Sequence, residues 1–221
     1  MADMIVTIDG PAGVGKSTVA HMLAERLGAA FLDTGAMYRA LTWAALDRGV
    51  DLTNAEKVLE VLRGSEFDFK ADGAEMRAFV DGRDVSGAIR SPEITAQVRH
   101  VAGAAPLRAA LVDMQRAFAA GQKAVVTEGR DQGTVAFADA RYKFFLRADV
   151  DERARRRKFQ LAGKGVDVDI QKIREDMIER DASDENRSTG PLVPAEDAVI
   201  IDATDLDAAG VVEAMMKHIE G

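Results

Sequence analysis

One octapeptide restricts this chain to a small set of folds. Gly10-Pro11-Ala12-Gly13-Val14-Gly15-Lys16-Ser17 satisfies G-x-x-x-x-G-K-[ST] at every position. The pattern describes a loop whose consecutive N–H groups turn inward around an anion, a concavity that a Cβ would obstruct. Before it, Ile5-Val6-Thr7-Ile8 reads as a strand. After it, Val19, Met22, Leu23 and Leu27 recur at helical spacing. A loop held between strand and helix presents the helix N-terminus, with its unpaired amides and positive dipole end, to the anion. Lys16 adds a cation suited to the outer phosphates of a nucleoside triphosphate, and the Ser17 hydroxyl suits Mg²⁺. Gly10, Pro11, Ala12, Gly13, Val14, Gly15, Lys16, Ser17 and Thr18 are therefore the expected triphosphate-binding residues.

The rest of the chain extends this start into α/β alternation. Ala30 to Leu32 reads as a short strand and Ala36 to Arg48 as a helix. Phe67 to Val80 alternates around Asp72-Gly73, which predicts a small antiparallel hairpin. Pro92 to about Ala119 reads as helix interrupted near Pro106. Ala124 to Thr127 and Tyr142 to Leu146 are short apolar runs of the kind buried in parallel sheets. Helices follow at about Asp151 to Leu161 and Asp169 to Asp181, then a strand at Val199 to Ile201 and a helix from about Asp207. The expected fold is a doubly wound α/β parallel sheet of the P-loop type. No repeat or linker divides it, so 1–221 is expected as one domain.

Composition excludes several classes. The net charge of −8 argues against a surface that coats nucleic acid. With no cysteine, neither a disulfide framework nor a thiolate metal site is possible. Met4 to Ile8 is stopped by Asp9, too short an apolar run for a signal segment or a membrane span, so a cytoplasmic location is expected. His21, His100 and His218 are scattered and suggest no catalytic role. Trp43, Met37 and the phenylalanines read as core.

Four further segments carry reactive side chains in compact patterns. Asp33 to Arg39 sets the Thr34 hydroxyl at a helix start with Arg39 five residues on, a workable phosphate clamp; read blandly, it is an N-cap and a surface arginine. Glu128-Gly129-Arg130-Asp131 follows an apolar strand, and open α/β sheets bind ligands at such strand ends. Glu128 there suits Mg²⁺, directly or through water. Arg153 and Arg157 lie one turn apart on one helix face, suited to closing over a triphosphate. Arg180 to Arg187 holds two arginines and three carboxylates. The wider basic stretch from Arg141 to Arg187, Lys164 included, has acids interleaved, so a solvated helix face explains it as well as an anion site does. A signalling GTPase is excluded: it needs N-K-x-D, and neither Asn54 nor Asn186, the only asparagines, precedes a lysine.

Taken in order, these segments resemble the bacterial cytidylate kinases, within the nucleoside monophosphate kinase superfamily. The resemblance rests on Asp9-Gly10-Pro11-Ala12-Gly13, Leu32-Asp33-Thr34-Gly35-Ala36-Met37-Tyr38-Arg39, Asp84-Val85-Ser86-Gly87-Ala88-Ile89-Arg90 and Glu128-Gly129-Arg130-Asp131. It continues through Gly133-Thr134-Val135 and Pro191-Leu192-Val193-Pro194-Ala195, and covers nearly the whole chain. It implies ATP and Mg²⁺ as cofactors, transfer of the γ-phosphoryl group to CMP and dCMP, and a monomer with no partner beyond small nucleotides. It further implies that Thr34, Arg39, Arg130 and Arg187 hold the acceptor phosphate. Arg108 and Asp131 would read the cytosine edge, and Asp184 the ribose hydroxyls. Lys16, Arg130, Arg153, Arg157 and Arg187 would surround the transferring group, with Arg153 and Arg157 in a lid over ATP at about 150–168. The monophosphate-binding lobe would lie at about 34–105, with a small β insert from about Phe67 to Ile89.

The sequence departs from that pattern twice. Arg99 stands where the family often has a serine that helps contact the cytosine amino group, and arginine accepts no hydrogen bond. Arg99 therefore either points to solvent or weakens discrimination against uracil. Ala138 replaces a usual proline, with an effect expected only on loop stiffness. The competing readings are another small-molecule kinase (for AMP, UMP or shikimate) and a P-loop module that binds nucleotide for regulation.

Overall fold

Val6, Thr7 and Ile8 expose no surface in β1 (Met4–Asp9), as expected of a β-branched run covered on both faces. In this computed structural model, residues 2–73, 75–163 and 165–221 are described. Met1 lies outside them, as do Ala74 and Lys164, which fall in the expected β insert and lid.

Five strands form one sheet: β1, β2 (Ala30–Asp33), β6 (Ala124–Gly129), β7 (Tyr142–Arg147) and β8 (Val199–Asp202), in the order β2-β6-β1-β7-β8. β1 pairs parallel with β7 from Val6 opposite Tyr142 to Asp9 opposite Phe145, and β7 with β8 from Phe144 opposite Val199. This is the expected parallel α/β sheet. Strands β1 and β6 are neighbours, but the chain leaves them in opposite directions along the sheet, toward β2 and toward β7 respectively. Open α/β sheets as a class bind ligands beyond the carboxyl ends of strands where the order reverses. The glycine loop follows β1, and Glu128 to Asp131 lie at and just beyond the end of β6.

A second sheet holds β3 (Phe67–Asp72), β4 (Glu75–Val80) and the two-residue β5 (Arg83–Asp84), all antiparallel. Met76, Ala78 and Val80 are buried while Glu75 and Arg77 are exposed, the alternation that marked the hairpin in the sequence. Asp81 at φ 50° and Gly82 at φ 76° make the turn into β5, which was not anticipated.

Helices α1 (Lys16–Leu27), α2 (Thr34–Asp47), α6 (Val150–Ala162) and α8 (Ala208–Glu220) match the expected spans. The helix expected over 92–119 is two, α4 (Pro92–Gly103) and α5 (Ala105–Ala120), parted at the extended Ala104, with Pro106 in the first turn of α5 where no intrahelical N–H bond is lost. α7 (Ile170–Glu185) runs four residues past the expected Asp181. α3 (Ala55–Arg63) was not foreseen; Asn54 caps it by accepting from the Lys57 amide, and Val58, Val61 and Leu62 form its buried stripe.

The chain divides into two compact units. One comprises the residues up to Met4 with Ala24–Thr127, the other Ile5–Leu23 with Glu128–Gly221. Met37, Leu41, Ile89, Leu107 and Leu111 form the centre of the first; Ile8, Leu23, Phe144, Leu146 and Met215 that of the second. Met37 is core as expected, and Trp43 is half-buried beneath the Arg83 guanidinium. Phe159 corrects the expectation for the phenylalanines. It is 82% exposed on the outer face of α6, where that helix has only its inner face to bury. Among the described residues, no helix is long and apolar enough to cross a membrane.

Candidate active site

Backbone geometry first fixes the loop between β1 and α1. Gly10 sits at φ 150°, and a Cβ there would lie 2.3 Å from the Leu146 carbonyl oxygen. Gly13 and Gly15 also take positive φ, 76° and 101°. Lys16 crosses back over the loop mouth. Its Nζ donates to the carbonyls of Gly10 at 2.8 Å and Pro11 at 2.7 Å, and only 5% of the residue is exposed. Burial is the main cause that brings its ammonium down to about 7, with the Arg130 charge adding to it and Glu128 and Asp9 opposing.

Two carboxylates organise the base of the loop. Ser17 Oγ donates to Glu128 Oε1 at 2.9 Å, joining the two residues expected to serve a cation. Mg²⁺ takes few protein oxygens and keeps phosphate and water in its other positions, so one hydroxyl and one carboxylate fit it. Among the described residues, no group of three or more His, Cys, Asp or Glu side chains offers a fuller cage. Asp9 accepts from the amides of Gln132 at 2.9 Å and Gly133 at 2.8 Å. Burial outweighs those two hydrogen bonds and pushes its carboxyl up to about 6.

Asp184 gathers the arginines of the same unit. Its Oδ2 accepts from Arg130 Nε at 2.7 Å and its Oδ1 from Arg187 Nη2. Arg130 also donates from Nη1 to its neighbour's carbonyl, Gly129, at 3.2 Å. Burial alone would raise the Asp184 carboxyl, but the Arg130 and Arg187 charges hold it below the usual range. Arg180 stands beside them, its guanidinium lowered by burial and by the Arg130 charge. Asp131 is buried at the start of a π-turn over Gln132–Ala136.

Arg153 and Arg157 differ. Arg157 is exposed on α6, with no hydrogen bond or ion pair among the described residues. Arg153 is 6% exposed and donates to the Ala12 carbonyl at 3.0 Å, to Asp181 and to the Ala148 carbonyl. The pair expected on one open lid face is thus split by one turn of helix into a buried and a solvated member.

In the first unit, Asp33 caps α2 by accepting from the Ala36 amide at 2.8 Å, and also pairs with Arg39 at 3.1 Å and Arg90 at 3.3 Å. The N-cap reading of that segment is the one the geometry shows, and the same carboxylate also orients Arg39. The Arg39 Nε is buried without an acceptor. Thr34 is buried in the first turn of α2. Arg108 is buried, donates to the Ala102 carbonyl at 3.1 Å and lies 5.7 Å from the Tyr38 ring. Arg99 is exposed, matching the first of its two expected orientations.

Residues 6–221 match the cytidylate kinase family. The chain belongs to that family. It is 44% identical over 216 residues to a cytidylate kinase of Alkaliphilus oremlandii, covering 98% of this chain and 97% of that one. It is 47% identical over 214 residues to a cytidylate kinase of Caldanaerobacter subterraneus, covering 97% and 93%. An uncharacterized protein of Eubacterium ventriosum shares the fold, with a TM-score of 0.52 at 14% identity over 99% of each chain.

Membership of the cytidylate kinase family makes the chain a nucleotide-binding kinase. Three charged residues without an individual expectation also stand out in the structure. Arg90 shares the Asp33 carboxylate with Arg39. Arg180 and Asp181 open the charged span 180–187. Asp181 follows the helical buried positions Ile173 and Met177 by eight and four residues. That spacing was legible, and an acid on an apolar stripe is the signal that could have singled it out.

Proposed function

We propose that this kinase transfers the γ-phosphoryl group of ATP to CMP, and to dCMP, by direct in-line displacement. The observation that carries the reading is Lys16 over the loop mouth in the field of Arg130, which is itself fixed by Asp184. A cation at the loop and an arginine cluster within its electrostatic reach suit a charge that spreads over both sides of a transferring phosphoryl group.

Gly10 to Thr18 would hold the triphosphate. Ser17, with Glu128 behind it, would hold Mg²⁺, which when bound supplies charge compensation at the β- and γ-phosphates. Arg130, Arg187, Thr34 and Arg39 are the residues that would hold the acceptor phosphate. Arg108 and Asp131 would read cytosine. Asp184 keeps lone pairs beyond the two that its arginines use, enough to accept from a ribose hydroxyl as well. Arg157, whose donors are uncommitted, would close over the phosphates with the lid at about 150–168. The acceptor oxygen is already anionic, so no general base is required. The remaining expectations, a monophosphate-binding lobe at about 34–105, a monomer and a cytoplasmic location, belong to the same reading.

The test is ADP formation from Mg·ATP with CMP, dCMP, UMP, AMP and GMP offered separately. Turnover confined to the cytosine nucleotides is expected. Turnover with another acceptor would keep the kinase and discard the base assignment.

A further inference from the structure

Both main-chain polar groups of Ala12, in the middle of the phosphate loop, are held by side chains from two helices. Its N–H donates to Asp181 Oδ1 at 3.3 Å, and its carbonyl accepts from Arg153 Nη1 at 3.0 Å. Arg153 and Asp181 are themselves paired, Nη1 to Oδ2, and both residues are buried along with Ala12. The ring so formed joins residue 12 to the first turn of α6 and the last turns of α7.

One turn earlier on α7, Met177 covers the next loop residue. A Cβ on Gly13 would come within 2.7 Å of Met177 Cε. Residues four apart on a helix share a face, so Met177 and Asp181 present one surface to the loop. The two helices are fastened to each other by Ala154, Ile173 and Met177, with Val150, Leu161, Val168 and Ile170 packed around them.

We propose that Arg153 and Asp181 form a clamp that holds the phosphate loop in its binding shape, so that Arg153 serves the triphosphate through the loop. Arg153 and Asp181 are positioning residues in this assignment. The Ala12 amide faces Asp181, and the loop turns its later amides, which open α1 and lack intrahelical partners, toward phosphate. The clamp also ties the loop to the helix pair that carries the expected lid, since the connection at 163–169 joins the far ends of α6 and α7. A lid motion that rotates either helix would strain Ala12, and a filled loop would favour one setting of the helices.

The inference rests on the proposed ATP-dependent transfer, and its test separates the two. ATP affinity is measured by calorimetry without acceptor in the unaltered protein, Asp181→Asn, Arg153→Lys and the double variant Arg153→Met/Asp181→Leu. CMP-dependent ADP formation is measured alongside. Losing one charge-assisted hydrogen-bonded partner should weaken ATP binding about tenfold or more, with the CMP KM within about twofold of the parent. Arg153→Lys keeps the charge but not the fork, and should lie between the parent and the double variant. The double variant leaves no unpaired buried charge, which keeps the fold testable if a single variant is unstable. A folded double variant that binds ATP as the parent does would overturn the clamp. So would equal losses toward ATP and CMP. An unaltered protein that binds ATP but forms no CMP-dependent ADP would instead overturn the proposed acceptor and leave the affinity series readable.

Discussion

Arg130 Nε meets Asp184 Oδ2 at 2.7 Å across 54 residues of chain, and Arg187 takes the other oxygen of the same carboxylate. One acid therefore sets the direction of two arginines proposed to grip the acceptor phosphate. Replacing Asp184 with Asn should lower kcat/KM for the acceptor about a hundredfold, because misplaced phosphate ligands lose in-line alignment. The loss should be equal for CMP and dCMP if arginine alignment dominates. A loss confined to CMP would show that the carboxylate acts chiefly on the 2′-hydroxyl.

Lys16 gives a pH prediction. Its ammonium has a pKa of about 7 before nucleotide binds. A triphosphate beside it favours the charged form and raises that value, so binding between about pH 7 and 8 takes up protons. Affinity for ATP should fall as pH rises through about 7. Calorimetry in two buffers of different ionisation enthalpy reads the proton uptake directly, and equal heats in both would refute it.

Gly10 and Gly15 should behave differently on substitution by alanine. At Gly10 the added carbon meets the Leu146 carbonyl at 2.3 Å and inherits a positive φ. Strain and overlap together should cost on the order of 3 kcal/mol of stability. At Gly15 nothing lies within 4 Å, so only the strained φ of 101° counts against the alanine, about 1–2 kcal/mol. Denaturant unfolding of the two variants ranks them; the reverse order would contradict the loop geometry.

Arg99 lies exposed on α4. The Arg99→Ser variant should therefore leave the ratio of CMP to UMP turnover within about twofold, as most exposed substitutions do. A clear rise in the ratio would mean that Arg99 reaches uracil during turnover.

The phosphate loop and the sheet were legible because local rules determine them: a glycine pattern with one backbone solution, and β-branched runs with one way to be buried. Helix α3 was overlooked because nine residues give too few turns for a stripe to stand out, although Asn54 marked its start. The split of Arg153 from Arg157 was beyond the sequence. Spacing by four puts two residues on one face, but which of them meets a neighbour depends on where the helix crosses that neighbour. Asp33 shows the same limit. Its capping role follows from position, whereas its grip on Arg90 spans 57 residues and belongs to the tertiary fold.

Asp9 has a mechanical consequence. It is covalently the residue before the phosphate loop, and its two oxygens hold the amides of Gln132 and Gly133, which follow Asp131 directly. The segment proposed to receive the donor nucleotide and the segment proposed to read the acceptor base thus share one anchor a single side chain long. Thermal displacement of one carries the other with it. Their separation should therefore vary less than the position of either, which is the quantity that an in-line transfer depends on.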